Sequence, residues 1–420
     1  MLKKRWVAIA LVVFLLTGLL VLPGAAPVQA AVRQNSYPII FVHGFAGFAR
    51  TAGINYWGGL ADVPAYLRAN GYEAYPVAVG PFSSNWDRAC ELYTEIKGGT
   101  VDYGAAHAAK YGHLRFGRTY PGLVPGWGQP DAGGQLKKVH LIAHSMGGQT
   151  SRVFLQLLEQ GSTEELLYAA EHPETGAASD LFAGGKSWVD GLMTVSTPHD
   201  GSTLAYAVNG MAPWLQQAFA AIEMIFGAIL DPLYDFYLDQ WGVTRQPGES
   251  FSAYCARIKT NSVWQRTKDL SSWDLSPEGA QELNSWVEAQ PDVYYFSWST
   301  KSSMKDIFTG HQIPNIYMNP AWYGNTMHLG AYTGGGPGKV TVDKTWWEND
   351  GWVNVRSMNG PKIGSSDQIV TFNGTPQIGK WNHLGLKKDW DHTDIIGIGT
   401  LWPVKGFYLD QARLLGTLPQ

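Results

Sequence analysis

At 420 residues the chain is long enough for one large domain or two ordinary ones, and its 45% hydrophobic content can fill a substantial core. Charged residues are only 16% against a usual ~25%, while 18 tryptophans and 20 tyrosines exclude a disordered chain. A formal charge of −4 offers no polybasic surface, so nucleic acid is not an expected partner.

Lys3, Lys4 and Arg5 precede an apolar run from Trp6 to Leu22, broken only by Thr17 and Gly18. Val28-Gln29-Ala30 then supplies a small-x-small cleavage site. The pattern predicts a secretory signal peptide over 1–30, and Pro23-Gly24 with the Ala-rich stretch after it favours cleavage over a membrane anchor. That leader holds three basic and no acidic residues, so 31–420 would carry 28 basic and 35 acidic residues, net −7. The expected product is an exported, moderately acidic protein with no permanent membrane anchor.

Pro38 to Val42 is a short apolar strand that ends in His43-Gly44-Phe45. Asp62 can cap a helix through Ala69, stopped by Asn70-Gly71, and Tyr72 to Val79 reads as a second strand. Residues 80–135 are rich in Gly, aromatics and His, with little periodicity. Val139 to Ala143 is an unbroken apolar run, expected of a strand covered on both faces. Val153, Phe154, Leu157 and Leu158 then give a helical face that Gly161 ends, and Ser162 with Glu165 makes a capping box for the next helix. Leu192 to Ser196 and Val293 to Trp298 are further strands. Alternating strands and helices predict one α/β domain with an open, mostly parallel sheet. Two large insertions, about 80–135 and 205–280, would lie above the strand ends, where such folds place their sites. Cys90 and Cys255 are too few for a disulfide scaffold; one bridge and two buried thiols both remain open.

Ala143-His144-Ser145-Met146-Gly147-Gly148 falls between the apolar strand and the amphipathic helix. A nucleophile elbow needs small residues two before and two after its serine, because the strained turn presses strand against helix. Serine needs a general base and an acid to orient it, and in α/β-hydrolases the chain order is Ser, acid, His. His392, in Asp391-His392-Thr393-Asp394, is late enough in the chain, with His383 the alternative. Asp350, in an Asn-Asp-Gly turn flanked by Trp346-Trp347 and Trp352, is the acid candidate, with Asp343 the alternative. Oxyanion N–H donors are expected from Met146 and, in the first loop, Phe45.

His-Gly-Phe at 43–45, Ala-His-Ser-Met-Gly-Gly at 143–148 and Thr-Pro-His-Asp-Gly at 197–201 together resemble the secreted thermoalkalophilic lipases of Gram-positive bacteria, the Geobacillus type. So do Ser-Ser-Asn-Trp-Asp-Arg at 83–88, Gly-Arg-Thr-Tyr-Pro-Gly at 117–122 and Asn-Asp-Gly at 349–351. The likeness runs from about 40 to 415. It implies an α/β-hydrolase fold with Ser145, Asp350 and His392 as the triad. Met146 departs from the family's usual Gln; a main-chain donor survives that change. The resemblance also implies a structural zinc at Asp87, His107, His113 and Asp269, four N/O ligands suited to a closed tetrahedral site. For the family's calcium only Asp394 stands in a ligand place, while Gly399 and Thr400 depart from it.

Met211 to Leu230 holds fifteen apolar residues in twenty, with Glu223 its only charge. A buried core helix and a membrane span are the bland readings; an amphipathic lid over an apolar cleft, placed where the family carries its lid, is preferred. The expected function is a secreted triacylglycerol lipase working at a lipid–water interface. A short-chain esterase or polyester depolymerase would share the triad, and a non-catalytic surface-binding protein would need none.

Overall fold

The computed structural model describes residues 33–51, 53–207, 234–400 and 402–419. The predicted signal peptide and the predicted lid helix over 211–230 lie outside the described residues.

Seven strands build the central sheet: β1 (Ile39–Val42), β2 (Ala74–Pro76), β3 (Val139–His144), β4 (Val189–Val195), β5 (Tyr294–Lys301), β6 (Ile369–Thr371) and β7 (Trp381–Lys388). Their order across the sheet is β6-β7-β5-β4-β3-β1-β2, and each neighbouring pair is parallel. A parallel sheet must be covered on both faces, and the pleat shows how this chain does it. Ile39 and Phe41 of β1 enter one core, Ile40 and Val42 the other. The first core also takes Val63 and Leu67 of helix α1 (Val63–Ala69) and Tyr408, Ala412 and Leu415 of the C-terminal helix Val404–Gly416. The second takes helix α2 (Asn85–Lys97), through Ala89, Leu92 and Ile96, and the helix after β3, through Val153, Phe154 and Leu157. β2 is shorter than the predicted Tyr72–Val79 strand; it lies at the sheet edge, where Pro76 costs no ladder bond.

Two local readings change. Helix α2 sits inside the stretch read as an insertion with little periodicity. Ten of its thirteen residues are buried, including Asn85, Asp87, Arg88 and Glu91, so its sequence shows no polar stripe. It is the crossover between β2 and β3 and packs on the sheet, while the hairpin Gly99–Asp102/Phe116–Tyr120 and helix α3 (Ala105–Tyr111) follow it. The capping box after Gly161 is only half made. Ser162 Oγ accepts from the Glu165 N–H, but the Glu165 carboxylate accepts from the main-chain N–H groups of Ala106 (3.0 Å) and His107 (2.7 Å). The open N-terminus of α3, which lacks a side-chain cap of its own, draws that carboxylate away.

Candidate active site and metal cluster

Helix α4 (Met146–Gln160) begins directly after Ser145, which follows β3 with φ 55° and ψ −131°. A non-glycine residue there is strained by about 1–3 kcal/mol, and the surrounding packing holds it. An added Cβ at Gly147 would stand 2.4 Å from the Val42 carbonyl oxygen, and at Gly148 2.2 Å from Thr197 Oγ1. Strand, helix and loop therefore meet too closely for any side chain at either position. Ala143, also buried, fits with its methyl group.

The structure brings Ser145, Asp350 and His392 together from three loops at the C-terminal ends of the strands. His392 Nε2 lies 2.9 Å from Ser145 Oγ, and its Nδ1 lies 2.8 Å from Asp350 Oδ2. Asp350 is fully buried; its Oδ2 also accepts from Thr300 Oγ1 (2.7 Å), and Oδ1 accepts from the N–H groups of Trp352 (3.0 Å) and Val353 (2.8 Å). The Trp352 ring lies over His392 at 6.2 Å between centroids. This geometry fixes Nδ1–H toward the carboxylate and leaves Nε2 to take a proton from the serine. The alternatives lie elsewhere: His383 Nδ1 meets Ser297 Oγ within the sheet, and Asp343 is exposed, capping a short 3₁₀ turn.

Met146 opens α4, so its N–H has no acceptor within the helix. Phe45 follows Gly44, where an added Cβ would fall 2.7 Å from Ser145 Cβ, so the first loop is pressed against the elbow. Arg88 secures this loop from beneath. Fully buried on α2, it donates to the carbonyls of His43 (2.5 Å) and Gly80 (2.7 Å) and to Thr150 Oγ1 (2.8 Å).

A second set of bonds escaped the sequence reading. The Gly44 N–H donates to Tyr56 Oη (3.0 Å), the Tyr56 hydroxyl donates to His144 Nδ1 (2.6 Å), and His144 Nε2 donates to the His392 carbonyl (3.0 Å). Burial, reinforced by His392, holds the His144 imidazole well below the usual histidine range, so it stays neutral and its two nitrogens keep these roles. The chain ties first loop, elbow and His392 loop together. His144 adjoins Ser145 and was open to notice, whereas nothing local marks Tyr56. Tyr56→Phe strips His144 and Gly44 of one partner each, a loss of about 1–3 kcal/mol. If part of that falls on the transition state, kcat on a dissolved ester drops about tenfold with KM little changed. Steady-state kinetics checks this, and an unaltered kcat would count against it.

The four predicted metal positions also converge. Asp87 comes from α2, His107 from α3, His113 from the turn after it and Asp269 from a distant loop; one ligand atom from each lies within 4.8 Å of all the others. His107 Nε2 is 3.3 Å from Asp87 Oδ1 and 3.2 Å from Asp269 Oδ1, and His113 Nε2 is 3.3 Å from Asp269 Oδ2. Bonds of about 2.0 Å at a tetrahedral ion would place neighbouring ligand atoms about 3.3 Å apart. His107 Nε2, His113 Nε2, Asp87 Oδ1 and Asp269 Oδ2 are buried without a hydrogen-bond partner, so the donor set fits a cation. The rings are aimed by their surroundings: His113 Nδ1 meets the Leu114 carbonyl at 2.8 Å, and Trp86 stacks on His107. Burial opposes charge on His107, yet Asp269 and Asp87 outweigh it and push the imidazole up to about 10. This pocket calls for positive charge.

Asp394 lies in the turn after His392. Its Oδ2 accepts from the Asp391 N–H (2.8 Å), and burial with the neighbouring Asp391 raises its carboxyl to about 7. Among the described residues neither acid joins a group of three or more side chains able to share an ion. Cys90 and Cys255 are both buried and are not bridged to one another.

Comparisons with known proteins agree in kind. The chain is 40% identical to lipase 1 of Staphylococcus aureus over 374 residues, 87% of this chain and 51% of that protein. It thus spans about half the length of the curated relatives it matches. Among solved structures it is similar to EstA from Clostridium botulinum, with 45% identity, a TM-score of 0.86 and coverage of 94% of this chain and 90% of that one. Lipase 1 from Pelosinus fermentans gives 48% identity and a TM-score of 0.82, covering 92% of this chain and 100% of that one. The sequence family described as "Lipase-like, C-terminal domain" matches residues 35–405, a stretch that takes in all seven strands, the serine elbow and the four-ligand cluster, and the chain belongs to this family of bacterial lipases.

Proposed function

We propose that the chain is a secreted triacylglycerol lipase, a carboxylic ester hydrolase that works through an acyl-enzyme. The observation that carries this is the unbroken line from Asp350 through His392 to Ser145, with 2.8 and 2.9 Å contacts, on a strained turn. In this reading Ser145 Oγ attacks the ester carbonyl while His392 Nε2 takes its proton. Asp350 holds the imidazole in the required tautomer and faces the charge it gains. His392 then protonates the leaving alcohol, and a water repeats the sequence to release the acid. The N–H groups of Met146 and Phe45 are assigned to the oxyanion.

The Geobacillus-type likeness supports three further parts. Asp87, His107, His113 and Asp269 would hold zinc, which neutralises two buried carboxylates and ties α2 and α3 to the second insertion. With four protein ligands the ion has no open position, so its role is structural. Residues 211–230 would cover the cleft as a lid, and residues 1–30 would direct export, leaving 31–420 as the enzyme. No described helix is long and apolar enough to cross a membrane. Calcium at Asp394, a cation that takes six to eight oxygens, would meet Asp391 as the one further carboxylate beside it among the described residues.

Rates over a series of esters test the assignment, with Ser145→Ala as control. Emulsified long-chain triglyceride should be hydrolysed faster than dissolved short esters, with a rise in rate as the interface forms. Equal rates and indifference to an interface would leave the short-chain esterase reading in its place.

A further inference from the structure

Among the described residues, half of the large hydrophobic side chains that stand exposed fall between positions 304 and 327. At the centre of this stretch is a hairpin, Ser303–Lys305 paired with Gln312–Pro314. Its turn carries Ile307 at 85% exposure and Phe308 at 90%, and Ile316, also 85% exposed, follows just beyond its exit. Ile307 and Phe308 are adjacent in the turn, and exposed apolar side chains that adjoin one another mark an interaction surface more often than single scattered ones. The turn is firmly built. Asp306 accepts from the N–H groups of Phe308 (3.3 Å) and Thr309 (3.0 Å) and from the Thr309 hydroxyl (2.5 Å). Main-chain bonds from Asp306 to His311 and from Gly310 to Asp306 close it, leaving the two apolar side chains pointing into water.

The hairpin rises from the C-terminal end of β5, the same edge of the sheet that carries Ser145. Its base is bonded to the loop of the triad acid. The Ser302 N–H donates to the Asn349 carbonyl (3.1 Å), and the Asn349 N–H donates to Ser303 Oγ (3.0 Å), one residue before Asp350.

We propose that this hairpin is an interfacial anchor, which inserts Ile307 and Phe308 into the acyl layer of a lipid surface and holds the site over its substrate. The inference rests on the function proposed above and is independent of residues 211–230. Two protruding side chains offer far less than the ~800 Å² per partner of a stable protein interface. A fluid apolar phase needs no complementary shape, so a small tip suffices. The charge is also suitable. Lys305 is exposed beside the tip and can meet phosphate or carboxylate oxygens at a lipid surface, while Asp306, the acid of the turn, is engaged by its own N–H and hydroxyl donors.

The test uses the full chain with Ser145→Ala, so that lipid is bound without being consumed. Partition is measured onto vesicles of phosphatidylcholine, vesicles of phosphatidylcholine with phosphatidylglycerol, and triolein emulsion. Adding Ile307→Ser and Phe308→Ser together should weaken partition about tenfold or more on all three. Lys305→Gln should weaken it only where phosphatidylglycerol is present. With Ser145 in place, the two tip substitutions should leave turnover of a dissolved short ester unchanged and slow hydrolysis of the emulsion. Independently, Phe308→Cys bearing a polarity-sensitive dye should shift to the blue on vesicles; Cys90 and Cys255 are buried and should not label. Unchanged partition, or a dye that remains in water, overturns the proposal. So do substitutions that alter only the oligomeric state, which would assign the tip to a contact between copies. Failure of the unsubstituted chain to hydrolyse any ester would instead remove the proposed function, a result separate from where the tip partitions.

Discussion

Ser145→Ala should lower kcat on a dissolved ester by about 10⁴-fold or more while the protein remains folded. The size follows from how the residues act: a nucleophile and its base work as a unit, so removing one forfeits most of what both supply. What remains comes from the oxyanion donors and substrate positioning. Alanine keeps a Cβ, so the turn at φ 55° stays as strained as before. Losing Oγ leaves His392 Nε2 short of one hydrogen bond, about 1 kcal/mol, which shifts the unfolding midpoint by only about one degree. Asp350→Asn should give a comparable fall in kcat for a different reason. Its carboxylate is met by Thr300, Trp352, Val353 and His392, and an amide in that place turns the imidazole to the wrong tautomer. Kinetics beside a thermal melt decides the matter. A Ser145→Ala protein that keeps a tenth of its activity would remove the serine from the mechanism, and a surface-binding protein would lose nothing at all.

Stripping the four-ligand cluster should have the second large effect, and it should appear first in stability. A ligand that binds only the folded state stabilises it by about 4 kcal/mol at a thousand times its Kd. For a domain of this size that is about 5 °C in the unfolding midpoint. Burial and Asp269 already raise the Asp87 carboxyl, a sign that the two acids are held together against their mutual repulsion. Asp87→Ala or His107→Ala should reproduce the stripped midpoint and no longer respond to metal. Restoration by zinc but not magnesium would match two imidazoles at tetrahedral spacing, since magnesium prefers six oxygens. Elemental analysis should find one zinc per chain in gently purified protein. Equal midpoints with and without chelator would dismiss a structural metal.

Legibility in the sequence followed the range over which each signal acts. The elbow was plain because its parts are contiguous: an apolar strand, small residues at 143, 147 and 148, and an amphipathic helix. Asp62 was equally local, and its side chain does accept from the Ala65 N–H. The acid and base were harder, because position along the chain left Asp343 and His383 open until the resemblance narrowed them. The four-ligand cluster has no local signature at all. Asp87 and Asp269 are 182 positions apart, and His107 and His113 lie on a helix and the turn beyond it, so only the finished fold brings them together. Helix α2 went unread for the opposite reason: its polar residues are buried along with its apolar ones, which erases the period-3.6 contrast. Glu165 shows a correct local pattern overruled by tertiary contact, its carboxylate engaged by the N-terminus of α3.

Asp87 and Arg88 are neighbours on one buried turn of α2. The first belongs to the four-ligand cluster, and the second grips the His43 carbonyl in the loop beside Ser145. A rigid helix cannot shift one without carrying the other. The four-ligand cluster and the loop beside Ser145 therefore share one mechanical support, and a disturbance at either is felt at the other through this pair of residues.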